Sequence, residues 1–461
     1  MKRYRADFVI ADSGIVESGV LTIKGGRIVE VGTGPYDIDL GSVAVMPGLV
    51  NAHSHAFQRI LRGRTEYLDS ARPDEDFWSW RTLMYRATED FKPDELSVVS
   101  KMAFLEMATT GITTVGEFHY IHHQPDGREY ADPNELANRV IQAALDVGLR
   151  ITLLNVAYHR GGFNRPLVDR QLRFVDRTLD RYLLRTEAMH AHWRAHPQVD
   201  VGFAPHSIRA VPADWLREIA DRASQTEQVI HIHACEQRQE LAQSRDEYQK
   251  GPISVLDDVG LLGRRTTLVH ATHIDAADAE RLARSKTGVC LCPTTEQNLG
   301  DGFVPAHLLN AHGVPICVGS DSQIEIDLWQ DVRLIEYQQR LRDERRNVLA
   351  RYVSQSDEKS VSKLQTASTL WPSLHSHGAR ALGVNAGRLA AGHLADFITV
   401  DLNHPSMAGV VTGDLISQLM FGVKTQAVRD VFVGGKAIVE AGRHPGQAQI
   451  VADYQQYVQS R

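Results

Sequence analysis

The segment Asn51-Ala52-His53-Ser54-His55 follows an apolar, Gly/Pro-bounded run at 43–50 (VAVMPGLV), so a His-X-His pair sits where a strand pattern ends. In an extended segment residues i and i+2 point to the same side. His53 and His55 can therefore aim two imidazoles at one point, and neutral imidazole suits zinc and similar ions. Spacing alone is weak evidence in a chain with 21 histidines. His190-Ala191-His192 has the same spacing but lies in an Arg-rich, helix-patterned stretch (169–196), where i and i+2 diverge about the axis; it reads as a solvated helix face. His231-Ile232-His233 ends the apolar run Val229-Ile230 and shares the context of the first pair.

A carboxylate, Asp321, stands at another strand-like end in Val318-Gly319-Ser320-Asp321-Ser322. A catalytic zinc keeps three or four protein ligands and an open position for water, whose pKa it lowers to about 7. His53, His55, His233 and Asp321 meet that count. Glu236 follows His233 by three residues, where hydrolytic zinc sites often carry an acid or base that is not a ligand. Its plainer alternative is a helix N-terminal carboxylate favoured by the dipole. His270, in Leu268-Val269-His270-Ala271-Thr272-His273, could orient the attacking water and polarise the group under attack; His273 reads as loop. A fourth strand pattern ends in Phe203-Ala204-Pro205-His206-Ser207, with no lysine to bridge a second ion, so one metal per chain is expected.

Short apolar runs alternate with longer amphipathic segments across the middle of the chain, the pattern of βα units around a parallel sheet. Eight strands are expected at 43–50, 112–117, 150–156, 199–204, 229–233, 267–270, 288–292 and 315–319, with helices such as 95–111, 135–148 and 275–288 between them. Eight such units make an α/β fold of the (β/α)8, TIM-like barrel kind, whose chemistry sits at the C-terminal strand ends. His53 and His55, His119 and Tyr120, His206 and Arg209, His233 and Glu236, His270, and Asp321 all fall at such ends. Residues 47–383 are assigned to the barrel. Residues 1–46 and 384–461 carry Gly-punctuated strand patterns and are expected to pair into one discontinuous β-sandwich.

With 43% hydrophobic and 23% charged residues, the chain can bury a large core. A formal net charge of -7 gives no reason to invoke nucleic acid or an anionic membrane. Asp7 and Asp12 interrupt any leader-like apolar core, and a cytoplasmic protein acting on a small molecule is expected. Cys235, Cys290, Cys292 and Cys317 form no Cys-X-X-Cys pair and read as reduced core thiols.

The segments VNAHSHAFQRILRGRTE, VGEFHYIHH, FAPHSIRAVP, HIHACEQRQE, GSDS and GRLAAGHLADFITVD together resemble the amidohydrolase superfamily over essentially the whole chain. Within it they are similar to the N-formimino-L-glutamate deiminases of L-histidine degradation. The resemblance implies one Zn2+ held by His53, His55, His233 and Asp321, with Glu236, His270 and Asp321 catalytic. It also implies hydrolysis of N-formimino-L-glutamate to N-formyl-L-glutamate and ammonia, and a homodimer. Such a substrate has two carboxylates, which Arg binds in bidentate fashion. Arg209 and Arg81 could do this, with Gln58, Tyr120 and His206 as uncharged partners, whereas Arg59, Arg62 and Arg64 fit an exposed basic loop equally well. Two alternatives use the same fold: a zinc deaminase of a purine, pyrimidine or triazine ring, and a non-catalytic interaction protein.

Overall fold

The computed structural model describes residues 1–68, 76–352 and 365–460. Eight parallel strands run in chain order: Leu49–Ser54, Ile112–His119, Arg150–Ala157, Val199–Pro205, Ile230–Ala234, Thr266–His270, Gly288–Leu291 and Ile316–Val318. Nearly every residue in them is buried, as expected of strands covered on both faces. The ring closes where Asp321 N–H donates to His53 C=O and His55 N–H donates to Asp321 C=O, each at 3.0 Å. Gly319 permits that closure, because a Cβ there would stand 2.6 Å from the His53 carbonyl oxygen.

The first expected strand is corrected. The run 43–50 is two strands in two sheets, not one. Val43–Pro47 belongs to a six-stranded sheet, between Phe397–Asp401 and Phe8–Ala11, whereas Leu49–Ser54 opens the barrel. The change of partner occurs at Gly48, whose N–H bonds to Asp396 C=O while the next N–H, of Leu49, bonds to Gly111 C=O. Apolar content hid the switch, since both halves are fully buried.

The terminal segments do pair. The six-stranded sheet takes strands from both ends of the chain, and a four-stranded sheet of N-terminal strands (Lys2–Arg5, Val20–Lys24, Arg27–Gly32, Ile38–Asp39) faces it over a separate core of Tyr4, Val9, Leu21, Val45, Phe397 and Phe432. The buried ion pair of Arg150 with Asp396, 2.9 Å at Nε to Oδ2, ties the third barrel strand to this unit. A closing helix, Gln447–Gln459, was not anticipated; it packs on the barrel helix Pro93–Thr109.

Candidate active site

Barrel strand one delivers His53 near its end and His55 immediately after it, both buried. His55 donates its Nδ1–H to Phe118 C=O at 2.8 Å, and His233, on strand five, donates its Nδ1–H to His206 C=O at 2.9 Å. These bonds fix the tautomers and turn each Nε2 lone pair toward the barrel axis, the outer-shell arrangement of metal-binding histidines. His53 Nε2 comes within 3.2 Å of His233 Nε2, and one ring nitrogen from each of His53, His55 and His233 lies within 4.8 Å of the others, close enough to hold a metal ion. Asp321 Oδ1 completes the cluster, 3.5 Å from His53 Nε2 and 3.3 Å from His55 Nε2.

Burial holds His53 far down, at about 3, and pushes His55 and His233 below the usual imidazole range, so the rings stay neutral. Burial opposes ionisation of Asp321, yet the surrounding His53, His55 and His270 keep it below the usual carboxylate range. Three neutral imidazoles and one carboxylate converging on a point are a donor set for a divalent ion of zinc type. Asp321 also forms, with His270 and Cys292, a second set of atoms within 4.8 Å, but burial drives the Cys292 thiol well up and leaves it protonated.

His270 ends strand six in a left-handed backbone, φ 75°, and Asp321 likewise has φ 47°. Non-glycine residues are rarely held there, and such strain concentrates at functional sites. His270 Nε2 lies 3.7 Å from both Glu236 Oε1 and Asp321 Oδ2, while Nδ1 lies 3.3 Å from Glu296 Oε1. Burial works against its charge, but Glu236, Glu296 and Asp321 outweigh it and raise His270 to about 10.

A cavity enclosing about 500 Å³ of open space adjoins this cluster, lined by His55, His233, Glu236, His270 and Asp321 and by the five expected substrate contacts Gln58, Arg81, Tyr120, His206 and Arg209. Helix Phe77–Thr88 roofs one side with Phe77, Trp80, Arg81, Met84 and Tyr85. Arg81 donates from Nε to the Tyr85 hydroxyl at 2.5 Å and from Nη2 to the Tyr158 hydroxyl at 2.6 Å. Arg209 donates from Nη2 to Glu236 Oε2 at 3.0 Å, with Glu240 Oε2 3.6 Å from its Nε, and stacks over Phe77 and Trp78. Gln58 donates to the Tyr120 hydroxyl at 2.9 Å, leaving its own Oε1 buried and unpartnered.

Several readings change. His119 closes strand two but does not line the cavity; alternation sends Phe118 and Tyr120 to the site side, and His119 packs against His122. Arg59 and Arg62 are structural: they share Glu106 at 2.7 and 2.6 Å, and Arg64 is exposed. His190 is half-buried and His192 exposed on helix Leu179–Trp193, as the helical reading required. His231 donates to Ala381 C=O and takes no part in the site. Glu240, Glu296, Tyr85 and Tyr158 were missed. Glu117 was missed too: fully buried, it accepts from Ser54 Oγ at 2.6 Å and Ala56 N–H at 2.7 Å, bracketing the His55 backbone.

The Amidohydrolase family model matches residues 44–438. The chain belongs to the amidohydrolase family. The family is metal-dependent, in keeping with the histidine-aspartate cluster. This amidohydrolase is 37% identical over 405 residues to the formimidoylglutamate deiminase of Pseudomonas aeruginosa, covering 88% of this chain and 86% of that one. Among solved structures it is similar to an amidohydrolase from Brucella melitensis, with TM-score 0.89, 31% identity and coverage of 100% and 99% of the two chains. An adenosine deaminase from Xanthomonas campestris with bound zinc shares the fold at TM-score 0.81 and 24% identity, over 99% and 98% of the chains. Among the described residues no helix is long and apolar enough to cross a membrane.

Proposed function

We propose that this amidohydrolase catalyses the zinc-dependent hydrolytic deimination of N-formimino-L-glutamate, yielding N-formyl-L-glutamate and ammonia, in L-histidine degradation. The observation that carries the reading is the presence of two guanidinium groups, Arg81 and Arg209, in the cavity that also holds Glu236 and the histidine-aspartate cluster. A substrate with two carboxylates and a hydrolysable amidine matches that combination. The similarity to a formimidoylglutamate deiminase supports it.

One Zn2+ held by His53, His55, His233 and Asp321 would polarise the amidine and lower the pKa of a water. Arg81, braced by Tyr85 and Tyr158, and Arg209, with its Nη1 unpartnered, bind the carboxylates. Gln58, Tyr120 and His206 orient the glutamate backbone. Water adds to the formimino carbon as Asp321 takes up its proton; His270 donates a hydrogen bond to the tetrahedral species, and Glu236 carries a proton to the departing nitrogen, which leaves as ammonia. A homodimer in the cytoplasm belongs to the same reading, and sedimentation of the purified protein checks the assembly.

A ring deaminase is the second reading, favoured by Phe77, Trp80, Tyr85, Tyr120 and Tyr158 around the cavity. Incubating the zinc-loaded protein with N-formimino-L-glutamate, and separately with cytosine, guanine and adenosine, separates them. Ammonia from the formimino compound alone is expected; ammonia only from a ring substrate would reverse the order of the two readings.

A further inference from the structure

At the opposite end of the barrel from the catalytic cavity, beside Gly313 and Pro315 before the last strand, a groove enclosing about 970 Å³ of open space carries Arg264, Lys286, Arg380 and Arg388 with His377 and His393. Among the described residues no aspartate or glutamate lines it. That is against expectation in a chain with 57 acidic and 50 basic residues, where most buried or half-buried guanidinium groups meet a carboxylate.

The floor of the groove is built. Arg380, half-buried on the short helix Ser376–Ala381, donates from Nη2 to the carbonyls of Lys286 at 2.6 Å and Arg264 at 3.3 Å, which fixes its guanidinium between the other two cations. Among the described residues Arg264, Lys286 and Arg380 make no ion pair with a carboxylate, whereas Arg388 reaches Asp12 at 3.0 Å. Burial and the nearby Arg264 both lower Arg380 from the usual guanidinium range, the mark of like charges gathered without a counter-ion. His377 is anchored by Nδ1–H to Ile316 C=O at 2.9 Å, and His393 Nδ1 is buried and unpartnered.

We propose that this groove is a binding site for a phosphorylated small molecule, held by Arg380 at its floor and by Arg264 and Lys286 at its rim. Several cations spread over one groove suit a polyanion better than a single carboxylate, with planar guanidinium forks and a lysine point charge meeting phosphate oxygens. The site is remote from the deimination machinery and does not depend on the substrate assigned there.

The test uses the full-length, metal-loaded protein, with fructose 1,6-bisphosphate as the probe in isothermal titration at constant ionic strength. Saturable binding of one probe per chain is expected. The exposed pair Arg264→Gln/Lys286→Gln should weaken it by about tenfold or more, with zinc content and basal activity unchanged. Arg284→Gln, a surface arginine outside the groove, should bind like the parent. No saturable binding by the parent, or equal affinity in the double variant, overturns the proposal. Equal binding of L-glutamate at the same concentrations would overturn the phosphate assignment.

Discussion

Glu236 bridges two chemistries, with one oxygen 3.0 Å from Arg209 Nη2 and the other 3.7 Å from His270 Nε2. Glu236→Gln keeps the shape and removes the carboxylate proposed to carry the proton. Turnover should fall by ~10²–10⁴-fold while a metal assay still finds zinc bound; unaltered kcat would take Glu236 out of the mechanism. Arg209→Met should lower kcat/KM by about 10- to 100-fold, chiefly through KM, since a charge-assisted hydrogen bond is lost; an unchanged ratio would refute its carboxylate role. The convergence of His53, His55, His233 and Asp321 was legible because each sits in a short motif at a strand end, where period-two geometry says which way a side chain points. Glu296 was not, because it reaches His270 across neighbouring βα units, and a carboxylate 26 positions away carries no local signal. Glu240, one helical turn beyond Glu236, lies at a visible spacing, but its worth depends on Arg209 arriving from another loop.

At the scale of elements, seven of the eight strands could be read to within a few residues, since buried parallel strands are short apolar runs bounded by turn residues. Sheet membership could not: hydrophobicity records burial, not which neighbour supplies the hydrogen bonds, and 43–50 therefore passed as one strand. Closure rests on a similar hidden contact at Gly319. Gly319→Ala would set a methyl 2.7 Å from His53 Cβ, and neither strand can retreat without moving His53 or Asp321. A loss of ~1–3 kcal/mol in denaturant unfolding and weaker zinc binding are expected together. If the variant matched the parent in both, close packing at the seam would not be what aligns His53 with Asp321.

For the whole molecule, the pairing of the two termini was legible from matching Gly-punctuated strands, whereas the closing helix Gln447–Gln459 was not, its pattern being short and weakly apolar. His375, in the segment leading from the barrel to the C-terminal strands, accepts from Ser376 N–H and is buried. Burial holds it at about 3, reinforced by the facing His377 and Arg388. The unfolded chain takes up a proton near pH 6.5 and the folded one only near 3, so this stabilisation is complete above 6.5 and drains as pH falls. His375→Asn should therefore close on the parent by about 2 kcal/mol between pH 7 and pH 5, read from paired denaturant melts; parallel curves would show that His375 ionises freely. The handover at Gly48 has a further consequence. One uninterrupted backbone passes from the terminal sheet into the strand bearing His53 and His55, with the Arg150–Asp396 pair clamping the same junction. A hinge there would drag His53 and His55 with it, so a swing of the smaller lobe would pull the histidine cluster apart, whereas helix Phe77–Thr88 lines the cavity without carrying any residue of that cluster.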